Sequence, residues 1–520
     1  MNKNPNQYTF YPILLALYPV LAALGLNIHE IYLKVAFKPL LFFALGGVAL
    51  FAFGYLVSGS WDKAALFSGW TVLLFFSYGW GLKLFEKINL PTGPNPYLPT
   101  LIFWALLWSI GLYFLNKIKQ HDKLRTVLNW FSIFLLIIPV FQITSYQFSI
   151  MRAKSASPNN SPLSENQLTL PESPPDVYVI VLDAHPRSDA LKKNYGVDNQ
   201  EFIRQLEEIG FFVPRCSRSN YAYTELSLSS MFNMNYLEVI APEVVAEGKS
   251  TVPLYAHLKN SEVRHNFESL GYKTYSLVSY PPIAWEDADV FIDPQTSAYE
   301  EISITQLSAF ERMVYSSTLL KVFLDKPTHD QGTADIPPNY LYADHLRTHN
   351  YILKKLVEIA AERGPKFVFV HLTSPHAPFV FEPDGTVIKD PPVLPWQSYL
   401  SWADYRYYFG MQVEYIDNAI VPIIKRVIGQ SNTDPVILLI GDHGAALDEE
   451  QLANLSAYLV PEGVKSALRP DISLVNSFRV IFNQLYDGNY EILEDRSFYS
   501  IHAEPFNYKA YPESFPDCIP

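Results

Sequence analysis

Five apolar stretches crowd into the first 150 residues, and they constrain the fold more than any other feature of the chain. Each is 16 to 19 residues long and nearly free of charge, whereas a helix of about 20 residues crosses a ~30 Å hydrocarbon layer. Buried helices of a soluble protein rarely occur in such a series. The pattern therefore predicts an α-helical polytopic membrane domain at residues 1–150. The stretches are Tyr11–Leu26, Pro39–Val57, Ala64–Leu82, Leu98–Leu115 and Leu128–Tyr146.

The loop charges bear on orientation. Lys and Arg are evenly divided between the two sides of five spans, six on each. The densest cluster, Lys117, Lys119, Lys123 and Arg125, lies in the fourth connection and favours a cytoplasmic N-terminus. We therefore predict a multi-pass protein of the cell membrane whose C-terminal domain is extracytoplasmic. Residues 151–175 are rich in Ser, Pro and Asn, which predicts a linker.

Composition limits the function of the remaining chain. Residues 1–150 carry a net charge of +6 and the rest −19, so binding to nucleic acid, which requires basic surface, is not expected. The chain has two cysteines, Cys216 and Cys518, which exclude a disulfide scaffold and a cysteine-rich zinc module.

Strand and helix patterns alternate after the linker. Apolar runs without alternation at Val177–Leu182, Tyr272–Ser279, Lys366–Leu372 and Pro435–Gly444 predict strands covered on both faces. Helical patterns separate them. This predicts a doubly wound, mostly parallel α/β sheet domain at residues 176–505. Residues 506–520 form a tail without an assignment.

Polar residues follow these strands where ligands bind in such sheets, beyond the carboxyl ends. Asp183 follows the first strand, His371 and His376 follow the apolar residues of the third, and Asp442 and His443 follow those of the last. A lone Asp there is often only a turn or helix cap. Together, oxygen and nitrogen ligands suit Zn²⁺ or Mn²⁺, with Mg²⁺ or Ca²⁺ as alternatives.

Thr224 precedes a predicted helix at Glu225–Phe232. An isolated Thr in this position is usually a helix cap. The positive end of the helix dipole would also favour an alkoxide and an anionic substrate there.

The ordered motifs VLDAHPR, NYAYTELSLSSMF, HLTSPHAPF and IGDHG resemble the alkaline phosphatase/sulfatase superfamily. The resemblance is greatest to its membrane-anchored branch of lipoteichoic acid synthases and phosphoethanolamine transferases. It implies that Asp183, Thr224, Asp442 and His443 bind one catalytic divalent metal, and that Thr224 is also the nucleophile. It further implies that His376 holds the substrate or the leaving oxygen. The expected enzyme transfers or hydrolyses phosphate esters of lipid headgroups or envelope glycans at the membrane.

Alternatives remain from the sequence. A sulfatase-like ester hydrolase is disfavoured because the segment at Cys216 lacks the Cys-x-Pro-x-Arg pattern; a non-catalytic membrane protein with this fold is the other alternative. A second metal is left open, with His185, His371, His376 and His502 available. Arg187 and Asn220 are candidate substrate-binding residues, each with a structural role as the alternative. His345 and His349, four residues apart on a predicted helix, are interpreted as surface residues.

Overall fold

The computed structural model divides the chain into two compact units. One comprises Met1–Gln147 with Thr305–Ala334, and the other Phe148–Ile304 with Asp335–Pro520. The first is called the membrane unit below, and the second the catalytic unit, after the activity that the sequence motifs predict. The residues described are 8–28, 31–87, 97–118, 120–155, 168–248, 250–294, 307–324, 340–389, 391–392, 400–446 and 448–511. Residues 156–167 of the predicted linker and part of the predicted tail lie outside them.

The apolar stretches form helices, as predicted. Four of them are long and apolar enough to cross a membrane, and the first, with 16 residues, is shorter. The fifth extends beyond its predicted limits at both ends. The helices are α1 (Tyr11–Leu26), α2 (Phe37–Ser58), α3 (Trp61–Lys87), α4 (Tyr97–Leu115) and α5 (His121–Ser155).

Glycine and tryptophan interlock α3 with α4. A Cβ on Gly81 of α3 would meet the ring of Trp104 of α4, and a Cβ on Gly111 of α4 would meet the ring of Trp70 of α3. Small residues let membrane helices approach closely, and dispersion then stabilises the contact. Each helix therefore supplies both a large ring and the gap that accepts one.

A six-stranded sheet organises the catalytic unit and confirms the predicted fold class. Its order is β3-β2-β4-β1-β5-β6, and every pairing is parallel except that of β5 with β6. All six residues of β1 and all seven of β4 are buried, as expected for strands covered on both faces. The strands are β1 (Val177–Leu182), β2 (Lys273–Val278), β3 (Val290–Ile292), β4 (Lys366–Leu372), β5 (Val436–Ile440) and β6 (Ser456–Leu459).

Helices pack on the sheet through apolar faces. The main core joins side chains of β1, β4 and β5 to three helices, Gln200–Ile209, Tyr340–Ala360 and Trp402–Gln430. The helices that precede β4 in this unit are α6 (Ser188–Tyr195), α7 (Gln200–Ile209), α8 (Thr224–Phe232), α9 (Leu237–Ile240), α10 (Pro242–Glu247), α11 (Val252–Lys259), α12 (Glu262–Ser269) and α15 (Tyr340–Ala360). Those that follow it are α16 (Trp402–Gln430), α17 (Glu462–Ala467) and α18 (Leu474–Leu485).

Besides the strands β3 and β6, two further features were not predicted from the sequence. Part of the chain's C-terminal end forms an antiparallel pair, β7 (Ser497–Tyr499) with β8 (Lys509–Tyr511), so the second strand lies in the unassigned tail. In addition, the helices α13 (Ala309–Ser316) and α14 (Lys321–Leu324) belong to the membrane unit, although their sequence lies within the predicted domain 176–505.

Candidate active site

Two adjacent strands bring three of the predicted metal ligands together. Asp183 follows β1, and Asp442 with His443 follows β5, its neighbour in the sheet. One ligand atom of each residue lies within 4.8 Å of the others, and all three residues are buried. Residues far apart in the sequence therefore meet beyond one edge of the sheet, where ligands bind in α/β folds.

The backbone around the cluster is closely packed. A Cβ on Gly441 would lie 2.2 Å from the carbonyl oxygen of His185, so only glycine fits immediately before Asp442. Ala184 has a positive φ of 63°, and its N–H donates to Oδ1 of Asp442 at 3.0 Å. The two ligand-bearing loops therefore fix each other through main-chain contacts.

His443 is oriented as a ligand. Its Nδ1 lies 2.7 Å from the carbonyl oxygen of Gly444; because a carbonyl only accepts, Nδ1 carries the proton. In the neutral imidazole Nε2 then presents its lone pair to the cluster. This atom lies 3.9 Å from Oδ1 of Asp183, 3.7 Å from Oδ2 of Asp442 and 3.5 Å from Oγ1 of Thr224.

The cluster fits a divalent cation. Oδ1 of Asp183 and Oδ2 of Asp442 are buried without a hydrogen-bond partner. Burial and the charge of Asp442 raise the pKa of Asp183 well above its usual value. Burial would also raise the pKa of Asp442, but His443 and His371 hold it below its usual value. Two buried carboxylates beside an imidazole lone pair form a donor set that suits Zn²⁺ or Mn²⁺.

Thr224 is the first residue of α8, so its hydroxyl lies at the positive end of the helix dipole. Ser227, one turn later, donates from Oγ to the carbonyl oxygen of Asp442 at 2.6 Å. This bond joins the helix start to the loop after β5. The structure thus places the predicted nucleophile beside the predicted ligands.

Two histidines from the β4 region adjoin the cluster. The N–H of His376 donates to the carbonyl oxygen of Asp183 at 3.2 Å. Its Nδ1 lies 2.9 Å from the carbonyl oxygen of Ala377, so Nε2 remains for a substrate. His371 is fully buried, and its Nε2 lies 3.7 Å from Oδ2 of Asp183. Burial lowers the pKa of His371 to about 4, so it is neutral at pH 7.

The two other predicted substrate-binding residues make structural contacts. Arg187 forms a bidentate pair with Asp189 at 2.7 and 2.8 Å and donates to the carbonyl oxygen of Ser217 at 2.7 Å. Asn220 is fully buried; it donates to Ser473 and to the carbonyl of Arg496, and it accepts from the N–H of Val475. These contacts favour the structural alternative, and substrate binding by either residue stays a prediction.

His185 and His502, the other candidates for a second metal, have different surroundings. Nε2 of His185 lies 2.8 Å from Asp417, and its Nδ1 lies 2.9 Å from the carbonyl of Pro186. Both ring nitrogens are therefore engaged. His502 is exposed, and its ring contacts that of Tyr223, which also contacts His443. Among the described residues, Asp183, Asp442 and His443 form the one group with metal-ligand spacing.

A largely aromatic cluster lies beside these loops. It includes Ala377, Ala445, Phe379 and Tyr405, and thus adjoins the loops that carry His376 and His443. Burial and the charge of Asp183 raise the pKa of Tyr405 to about 12. Tyr405 therefore keeps its proton at neutral pH.

The interpretation of His345 and His349 as surface residues is wrong for His349, which is 2% exposed. Both of its ring nitrogens lack a partner, and its ring packs on Phe381 and Tyr415. Burial and the neighbouring His345 lower the pKa of His349 to about 3.

We therefore expect acid to destabilise the protein through His349. A depressed histidine pKa gives stability above pH 6.5 that is lost as the pH falls toward 3. Between pH 6.5 and 5 the loss is about 2 kcal/mol, at 1.36 kcal/mol per pH unit. Denaturant titration at both pH values measures the free energy of unfolding. Between pH 6.5 and 5, His349→Gln should lose about 2 kcal/mol less of it than the wild type loses. The exposed His265→Gln should behave like wild type; equal losses in all three proteins would contradict the prediction.

No known protein family and no curated protein matches the sequence. Several solved structures are similar. The zinc complex of the C-terminal periplasmic domain of EcEptC from Escherichia coli has 15% identity and a TM-score of 0.40, over 66% of this chain and 93% of that one. The integral membrane lipooligosaccharide phosphoethanolamine transferase A from Neisseria meningitidis has 12% identity and a TM-score of 0.39, over 91% and 95%.

A phosphonate monoester hydrolase of Agrobacterium radiobacter has 12% identity and a TM-score of 0.38, over 62% of this chain and 80% of that one. At this level of similarity, the function of the present chain has to be inferred from its own residues.

Proposed function

We propose that this protein is a membrane-anchored, metal-dependent transferase or hydrolase of phosphate esters that acts through a covalent threonine intermediate. One observation carries the proposal: the Thr224 hydroxyl lies at a helix N-terminus, 3.5 Å from Nε2 of His443. His443 in turn forms a group with metal-ligand spacing together with Asp183 and Asp442. A nucleophile, a cation site and an anion-binding helix end coincide there.

Each side chain of the site has its own role in the proposed reaction. Asp183, Asp442 and His443 would hold a divalent cation, which when bound lowers the pKa of a hydroxyl and neutralises phosphate charge. Oγ1 of Thr224 gives its proton to water and bonds to phosphorus, while the bond from phosphorus to the leaving oxygen breaks. His376, when protonated at Nε2, gives that proton to the leaving oxygen. Attack on the phospho-threonine by water or an acceptor hydroxyl then restores Thr224.

A lipid headgroup or an envelope glycan is the proposed substrate. The described residues include four helices able to cross a membrane, so the proposed active site belongs to a protein concentrated at a bilayer. The lysine- and arginine-rich fourth connection supports an extracytoplasmic catalytic unit.

The covalent intermediate gives the direct test. Native membranes containing the protein are quenched in acid, and peptides containing Thr224 are weighed by mass spectrometry. We expect a mass increase equal to the transferred phosphoryl group on Thr224, absent after treatment with a chelator. If the peptide carries no adduct while substrate turns over, the threonine mechanism is wrong.

A further inference from the structure

Residues 307–324, here called the docking segment, pack in the membrane unit although both of their flanks continue into the catalytic unit. They comprise α13, α14 and the turn between them. The chain first passes from the membrane unit to the catalytic unit after Gln147. It then passes between the two units twice more, once into the docking segment and once out of it.

Main-chain hydrogen bonds hold the docking segment against α3. The N–H of Leu319 donates to the carbonyl oxygen of Phe75 at 2.9 Å, and the N–H of Gly79 donates to the carbonyl oxygen of Ser317 at 2.9 Å. A Cβ on Gly79 would lie 2.3 Å from the carbonyl oxygen of Ser316. Glycine at this helix position is thus required by the close approach of another backbone.

Side chains add specificity to this contact. The ring of Tyr315 packs against Phe42 and Phe43 of α2, with centroid distances of 5.9 and 5.5 Å. Nζ of Lys38 lies 3.0 Å from Glu311, whose side chain is 5% exposed. Burial of the carboxylate makes this ion pair costly to break.

The contacts lie at the start of α2 and in the middle and second half of α3. Lys38, Phe42 and Phe43 are in the first two turns of α2, and Phe75 and Gly79 are in the second half of α3. These ends adjoin the first and third connections. If all five helices cross the bilayer, α5 ends on this same side, where the chain leaves toward the catalytic unit.

We propose that the docking segment confers activity on substrates held in a bilayer, an inference that rests on the function proposed above. A catalytic unit joined to the membrane unit at one point only would sample many orientations, most of them with the active site away from lipid. Docking closes a loop of chain and restricts these orientations, which raises the effective concentration of the site at the membrane surface. A soluble substrate gains nothing from this restriction.

Gly79→Leu tests the inference, because its side chain occupies the space of Ser316 and Ser317. The control is Gly46→Leu on α2, where a Cβ would meet nothing within 4 Å. Each full-length protein is assayed for hydrolysis of soluble bis(p-nitrophenyl) phosphate. Each is also reconstituted in vesicles of phosphatidylethanolamine and phosphatidylglycerol and assayed for diacylglycerol release. Hydrogen exchange of residues 308–324 reports undocking.

For Gly79→Leu we expect faster exchange in the docking segment, at least tenfold slower diacylglycerol release, and soluble hydrolysis within twofold of wild type. Gly46→Leu should match wild type in all three measurements. Undocking without a selective loss of lipid turnover would overturn the inference, as would a wild-type protein that cleaves only the soluble substrate. A wild-type protein inactive on both substrates would instead refute the proposed function.

A charge reversal gives a second variant that does not alter helix packing. Lys38→Glu places two carboxylates together and should reduce lipid turnover selectively. Adding Glu311→Lys restores an opposite pair and should recover at least half of the lost turnover. Failure of the double variant to recover while exchange shows the segment docked would also contradict the inference.

Discussion

Replacing Thr224 with Ala is expected to reduce kcat on phosphodiesters by at least about 10³-fold, the scale typical of losing a catalytic nucleophile. The hydroxyl is the one group in the described site that can both contact a cation held by Asp183, Asp442 and His443 and form an ester. Alanine removes it without disturbing the start of α8, because Tyr223 and not Thr224 is the N-cap residue. Initial rates on bis(p-nitrophenyl) phosphate measure the loss.

Two further variants separate chemistry from folding. Thr224→Ser keeps a hydroxyl and should retain a measurable fraction of activity together with the covalent adduct. Thr386→Ala removes an exposed hydroxyl elsewhere in the catalytic unit and should match wild type. Wild-type-like turnover by Thr224→Ala would show that another group attacks phosphorus.

Replacing Asp442 with Asn should weaken metal binding on the order of 100-fold or more. The loss should exceed the 10- to 100-fold cost of removing an outer-shell partner. The amide oxygen can still accept from the N–H of Ala184, as Oδ1 does at 3.0 Å. The amide nitrogen would then take the place of Oδ2, which is buried without a partner, and would present hydrogens to the cation. Elemental analysis after dialysis against a weak chelator measures the retained metal.

Asp198→Asn is the matched control, since Asp198 is exposed and pairs with the surface residue Lys192. It should retain as much metal as wild type. Full metal retention by Asp442→Asn would remove this residue from the ligand set, and with it the proposed centre. Restored activity at high metal concentration would agree with weakened binding.

Buried strands were predictable because hydrophobic burial on both faces leaves uninterrupted apolar runs. The sequence limits of β4, Lys366–Leu372, match the structure. In contrast, β3 has three half-buried residues and β6 is a short antiparallel edge, so neither leaves such a run. The antiparallel pair β7–β8 was missed because its two strands have three residues each.

The clustering of the candidate metal ligands was predictable from the positions of the strands. Asp183, Asp442 and His443 follow strands, and parallel strands end at a common edge. Arg187 shows the limit, because its partner Asp189 competes for the charge that a substrate would use. His349 shows another limit of prediction from the sequence. Helical spacing tells which residues share a helix face but not what that face packs against, and the ring of His349 packs against Phe381 and Tyr415.

The wide sequence separation within the centre has a consequence for biosynthesis. Ala184 and Asp442, which fix the two ligand loops against each other, are 258 positions apart. No earlier fragment of the nascent polypeptide contains all the groups needed to capture an ion. Binding of a cation at the proposed centre therefore has to follow translation past Gly444, and the cation comes from the compartment in which this unit folds.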